Sequence, residues 1–126
     1  MKKILYKDTL VGIKISSLSE KTSPITDEKE PLQVVTLKHP KEAYLVAHTH
    51  TPQERTTAKL QECLIVKKGR IKIDLYGPNK VMFREIELSE GEMFILQNGG
   101  YGIHMLEDSE VIEVKNGPFI EDKEMI

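Results

Sequence analysis

The sequence has little of what would crosslink a chain or anchor it in a membrane. Its 126 residues include one cysteine, Cys63, which excludes an intramolecular disulfide and a zinc-binding cysteine cluster. Apolar runs such as 63–66 and 93–96 are short, and none exceeds five residues, far less than a membrane span. The 18 basic and 20 acidic residues leave a net charge of -2. We therefore expect neither a nucleic-acid partner nor a membrane partner.

The remaining composition is that of one folded domain. Hydrophobic residues make up 39% and charged residues 30% of the chain, as in ordinary globular proteins, and the length fits a single domain over residues 1–126. Lys7 and Asp8 interrupt the first apolar stretch, so we expect no signal peptide. A cytoplasmic location is the expectation, and one unpaired thiol agrees with it.

The dominant periodicity of the sequence is two, which is typical of strands with one buried face. Ile71, Ile73 and Leu75 alternate with polar neighbours, and residues 11–15 show the same pattern. No stretch has a clear amphipathic helical pattern. Further strands are predicted at residues 32–38, 43–50, 60–68, 81–88, 92–97, 101–106 and 110–115. Turn sequences lie between them, so a sandwich or barrel is predicted, with residues 19–31 as a loop after an N-terminal strand pair.

The sharpest local motif is His48-Thr49-His50. Residues i and i+2 of a strand point to the same face, so both imidazoles can reach one point in space, and imidazole binds zinc, iron, nickel and copper. A surface pair without a metal is the alternative. Glu62 shares its predicted strand face with Leu64 and Val66, and a carboxylate there is costly unless it is paired or bound to a cation. The alternative is that Glu62 faces outward, because this strand is apolar on both faces.

These residues resemble the first motif of the cupin superfamily, in which a His-x-His pair precedes a glutamate, six residues and a glycine. Glu62 is followed by six residues and Gly69, and the histidine pair precedes it. The family pattern places the glutamate three or four residues after the pair. Glu54 lies at that distance but has no glycine at the matching position. We therefore take Glu62 as the motif glutamate and predict that residues 51–59 form a longer loop over the site.

The second cupin motif is matched less completely. Gly91 and Gly99 fit its glycines, whereas Gln97 occupies its proline position and Tyr101 its histidine position. The fourth ligand is then Tyr101, a shifted His104 or water. Strand parity places His104 on the face opposite to Tyr101, unless a bulge at the intervening glycine turns it inward.

The resemblance extends to small single-domain cupins of bacterial surface-polysaccharide and nucleotide-sugar pathways, through residues 52–57 and 113–119. It implies an all-β, double-stranded β-helix (jelly-roll) barrel over residues 41–119, with residues 1–40 as N-terminal strands and loop, and a homodimer. It also implies a divalent metal ion (zinc, iron, manganese or nickel). The ligands it implies are His48, His50, Glu62 and either His104 or Tyr101.

The function that this resemblance implies is action on a small polar ligand, such as isomerisation or epimerisation of a sugar or nucleotide sugar. The metal would act as a Lewis acid, with Tyr101, Glu54 or a metal-bound water transferring protons. Arg55 and Gln97 are candidate substrate contacts, although Arg55 can equally form a surface ion pair. The alternatives are a non-catalytic sugar-binding module and an iron-dependent oxygenase. A metal-free epimerase would need a carboxylate beside His50, and the sequence indicates none.

Overall fold

The computed structural model describes residues 1–126, which form ten strands and no helix. The strands are β1 (Lys2–Tyr6), β2 (Thr9–Ile15), β3 (Lys21–Pro24), β4 (Val35–Lys38), β5 (Glu62–Lys68), β6 (Arg70–Tyr76), β7 (Met82–Ser89), β8 (Met93–Leu96), β9 (Gly100–Met105) and β10 (Glu110–Lys115). The predicted all-β class is confirmed. No helix is long and apolar enough to cross a membrane.

Two antiparallel sheets enclose the main core. One sheet has the order β1-β2-β8-β5-β10 and the other the order β7-β6-β9. The alternation of β6 buries Ile71, Ile73 and Leu75 completely, and they pack in one cluster with Leu64 and Val66 of β5. The sheets do not close into a barrel, because β9 ends one sheet and β10 ends the other.

The outer face of the five-stranded sheet is also covered. Cys63 and Ile95 pack there against Leu32, which belongs to the connection between β3 and β4. This second cluster explains why β5 is apolar on both faces. Residues 19–31, predicted as a loop, contain β3, which pairs with β4 as an antiparallel hairpin. The prediction missed this strand because its sequence, Lys21–Pro24, has no apolar alternation.

The predicted strand at residues 43–50 is absent from the structure. Residues 41–60 form no strand, and every one of them is exposed. A strand needs a neighbour for its backbone N–H and C=O groups, and this segment has none within the chain. The prediction was wrong here because an apolar sequence alone does not supply that neighbour.

Candidate functional site

Tyr101 lies at the open end of the two sheets and connects them. It is the second residue of β9 and lies opposite the buried Leu75 of β6, so its ring points into the space between the sheets. Its hydroxyl donates a hydrogen bond to Oε2 of Glu62 on β5. The same oxygen lies 3.3 Å from Oε2 of Glu113 on β10. One phenol from the three-stranded sheet therefore meets two carboxylates from the five-stranded sheet.

Strand register explains why these carboxylates meet. In the antiparallel pairing of β5 with β10, Glu113 lies opposite Leu64 and Lys115 lies opposite Glu62. Residues that lie opposite one another share a face of the sheet, and Leu64 faces the main core. Glu62, Glu113 and Lys115 therefore all face the space between the sheets. The Lys115 ammonium donates to Oε1 of Glu113 over 3.0 Å.

The surroundings of Tyr101 hold its proton on the phenol. Burial is the largest cause that raises the pKa of Tyr101 far above its usual value. The hydrogen bond to Glu62 and the negative charges of Glu62 and Glu113 raise the pKa further. The hydrogen bond to Glu113, followed by its charge, raises the pKa of Lys115. At neutral pH the site therefore holds a protonated phenol and a protonated amine beside the carboxylates.

These groups line a cavity of about 570 Å³, within the size range of small-molecule sites. Leu96 and Ile103 supply apolar wall, and the C-terminal residues 123–126 form one side. A second cavity of about 520 Å³ adjoins it and is lined by residues 57–60 and 115–123 together with Glu62. Glu62 and Lys115 line both cavities, so together the cavities form one cleft, which we call the intersheet cleft.

The structure keeps four of the sequence-predicted site residues outside the intersheet cleft. His48 and His50 are exposed, with ring centroids 5.1 Å apart, and Nδ1 of His48 lies 2.8 Å from the carbonyl oxygen of Val46. Glu54 and Arg55 are exposed as well, and Arg55 donates to the carbonyl of Gln53 over 3.3 Å. All four belong to the exposed residues 41–60.

His104 and Gln97 also lie away from Tyr101. His104 is on the opposite face of β9, where Nε2 is 2.6 Å from Oδ2 of Asp74. Gln97 is 4% exposed, and its backbone carbonyl accepts a hydrogen bond of 3.4 Å from the side-chain amide of Gln61. Gln97 does not line the cleft, because β8 ends at Leu96 and the chain then turns toward β9.

The metal donors implied by the sequence are not gathered within one chain. No group of three or more histidine, cysteine, aspartate or glutamate side chains is placed to hold a metal ion. Glu62 accepts a hydrogen bond from Tyr101, whereas His48 and His50 lie on the exposed residues 41–60. The donor set of a single chain therefore does not fit a divalent metal in this arrangement.

Sequence reasoning missed Glu113 and Lys115. Both belong to β10, whose sequence is EVIEVK. The face with Val111, Glu113 and Lys115 is the one turned to the core side, since Val111 packs against the main cluster. Two charged residues follow Val111 on this face, and their side chains remain partly exposed, at 38% for Glu113 and 40% for Lys115. That pattern was the available signal, and it matched no recognised motif.

Comparisons with protein-family models, curated proteins and solved structures give no match. The geometry of the intersheet cleft is therefore what points to a function.

Proposed function

We propose that the intersheet cleft binds a small polyhydroxylated molecule of the sugar type and that Glu62 and Tyr101 transfer protons on it. The observation that carries this proposal is the position of one protonated phenol between two carboxylates, in a cavity of about 570 Å³. A phenol can give a proton to a ligand oxygen and a neighbouring carboxylate can take one from carbon, which is the division of roles in acid–base chemistry.

The polarity of the cleft favours a ligand with hydroxyl groups. Carboxylates accept hydrogen bonds from hydroxyls, and the ammonium of Lys115 donates to them. Glu62 and Glu113 would repel an anionic group beside Tyr101. Lys115 and Lys123 line both cavities, so a phosphate of a sugar phosphate or nucleotide sugar would lie near them. The apolar wall at Leu96 and Ile103 suits the carbon face of a sugar ring.

The proposed chemistry moves one proton at each of two atoms. The Glu62 carboxylate removes the proton from the carbon next to a carbonyl, and Tyr101 gives its hydroxyl proton to the carbonyl oxygen. The product of this step is an enediol, formed with no change in the total number of electrons. Return of the Glu62 proton to the neighbouring carbon, on the same face, gives an isomer. Tyr101 recovers its proton from the enediol hydroxyl, which resets the site.

A binding module without chemistry is the second candidate. The observation that favours it is the raised pKa of Tyr101, caused first by burial and then by Glu62 and Glu113. A phenol with a raised pKa gives up its proton reluctantly, yet it remains a good hydrogen-bond donor to a bound ligand. In this candidate the same residues recognise hydroxyl groups and no bond to carbon is broken.

The cupin-type jelly roll with a divalent metal, acting as an isomerase or an iron-dependent oxygenase, remains a proposal. The all-β fold, the spacing of Glu62 and Gly69 and the proximity of the two imidazoles support it. It requires His48 and His50 to approach Glu62. A single chain does not bring these donors together, because both histidines lie on the exposed residues 41–60.

Ligand-induced stabilisation tests the proposal. We expect a sugar, sugar phosphate or nucleotide sugar to raise the melting temperature, because a ligand at 100 times its Kd adds about 2.7 kcal/mol to the native state. For a chain of this size that corresponds to roughly 10 °C. The measurement is differential scanning fluorimetry with a panel of these compounds. Tyr101→Phe should lose most of the shift.

Tyr6→Phe is the matched control for Tyr101→Phe. The hydroxyl of Tyr6 is also hydrogen-bonded, as the acceptor from Asn79, and its ring packs on Phe83. Tyr6 does not line the intersheet cleft. It should retain the full ligand response. No shift with any of the three classes of compound, or an equal shift in Tyr101→Phe, would contradict the proposed site.

A further inference from the structure

The exposed segment, residues 41–60, includes a strand-like stretch without a neighbour. Tyr44, Leu45 and Val46 are 75%, 50% and 73% exposed, although aromatic and β-branched residues of this kind are enriched in half-buried strands. The stretch runs through His48 to His50 with no Gly or Pro. Apolar side chains grouped in this way mark a contact surface.

A free sheet edge with an uncovered apolar face lies on the same chain. β9 pairs only with β6 and ends its sheet. Ile103 and Met105 lie opposite the fully buried Ile73 and Ile71, so they belong to the core-facing side of the sheet. They are nevertheless 37% and 59% exposed, because no strand pairs with the outer edge of β9. An unpaired edge of this kind is a template for another strand.

The total surface of the chain shows that a large area is left uncovered. The protein exposes 9148 Å², whereas a compact monomer of 14.4 kDa would expose roughly 6,800 Å². The excess is about 2,300 Å² per chain on that scaling. Two chains that cover this excess would bury about 4,600 Å², which is the range of permanent dimers.

We propose that residues 44–50 of one copy pair antiparallel with the β9 edge of a second copy, and that the exchange is reciprocal. In the register that we propose, Val46 lies opposite Ile103 and Tyr44 lies opposite Met105. Each of these cross-strand pairs then consists of two apolar side chains. If the pairing were shifted by one residue, Leu45 would face the core in place of Tyr44 and Val46. Reciprocal exchange gives a closed two-fold dimer, the commonest oligomer.

This register also brings a new group to the intersheet cleft. His48 of one copy would lie opposite Tyr101 of the other. In an antiparallel pair, moving two residues forward from Val46 corresponds to moving two residues back from Ile103. The cleft of each copy would then be completed by an imidazole that its own chain keeps outside. The interface itself does not depend on the proton chemistry proposed above, so either can fail without the other.

Two cysteine variants test both the partner and the register. Val46→Cys and Ile103→Cys are prepared singly, refolded together and oxidised, and the products are separated by non-reducing electrophoresis. We expect a crosslinked dimer from the mixture and from the double variant. Leu45→Cys mixed with Ile103→Cys is the control, and it should crosslink poorly because Leu45 faces the other way. The native Cys63 is buried, and burial raises its pKa to about 11, so it should not compete.

Light scattering gives an independent readout of the same proposal. The wild-type chain should have twice the 14.4 kDa mass of one chain. Val46→Asp should have the mass of one chain, with its β-sheet circular dichroism retained. A wild-type monomer would overturn the proposal, as would an internal disulfide in the double variant, which would show that the segment closes on its own chain. Preferred crosslinking through Leu45→Cys would overturn the register.

Discussion

Glu62→Gln is expected to lower the rate of solvent-deuterium incorporation into a bound α-hydroxy carbonyl by about 10²- to 10⁴-fold. The glutamine side chain has nearly the same shape and can still accept the hydrogen bond that Tyr101 donates to Glu62. It cannot take a proton from carbon, because an amide oxygen is a very weak base. Affinity should therefore change little while the exchange is lost. The measurement is proton NMR of the ligand in deuterated buffer.

Glu110→Gln is the matched control for this experiment. Glu110 belongs to β10, as does Glu113, and both are exposed, but only Glu113 lines the intersheet cleft. Its replacement removes one carboxylate from the same sheet and should leave deuterium uptake unchanged. If wild type and Glu62→Gln bind the ligand and exchange equally fast, Glu62 is not the base. If neither exchanges while both bind, the second candidate, a binding module, is the correct one.

Gly99→Ala is expected to destabilise the fold by roughly 3 kcal/mol or more, from strain and overlap together. Gly99 has a φ of +81°, in the left-handed region that costs energy for a residue with a Cβ atom. A Cβ atom there would also overlap the backbone carbonyl oxygen of Tyr76. That carbonyl belongs to β6, whose pairing with β9 positions Tyr101 two residues later, so ligand response should fall as well.

Gly91→Ala separates the two causes. Gly91 has a φ of +84°, and a Cβ atom built on it would meet nothing within 4 Å. Its replacement should therefore cost only the strain of about 1 kcal/mol. The measurement is chemical denaturation of both variants. Equal free energies of unfolding for the two would contradict the close packing of Gly99 against Tyr76.

The sequence predicts strands where apolar and polar residues alternate strongly. It does not predict which side chains meet at the candidate site. The pattern Ile71, Ile73 and Leu75 predicts β6 because every second residue faces the core. Alternation shows which face of the sheet a side chain lies on. It does not show which strand of the other sheet packs against that face. The meeting of Glu62 with Tyr101 depends on how two sheets stack, across 39 positions of sequence. Only the three-dimensional arrangement supplies that information.

The histidine pair is a second example of local sequence that does not determine long-range contacts. His48 and His50 have the chemistry and spacing of metal ligands, and their rings lie 5.1 Å apart. Local spacing cannot show whether a neighbouring strand is present to hold them near Glu62. Gln97 was predicted to contact a ligand because Met93 and Ile95, at alternate positions of the same predicted strand, are apolar. All three would then point into the barrel. It is buried beside Gln61 instead, because the strand ends one residue before it.

The titration of Tyr101, followed by NMR with tyrosine labelled at the ring Cζ carbon, tests the central claim most directly. The resonance is assigned by its loss in Tyr101→Phe. Because burial and then Glu62 and Glu113 raise the pKa of Tyr101, its signal should stay that of a protonated phenol to about pH 11, above the usual value near 10. The raised pKa stabilises the native state below about pH 10, and the effect is lost as the pH rises through the native pKa. A ligand that binds the cleft should shift this resonance. A Tyr101 signal that titrates near pH 10 and ignores every ligand that binds would contradict the account.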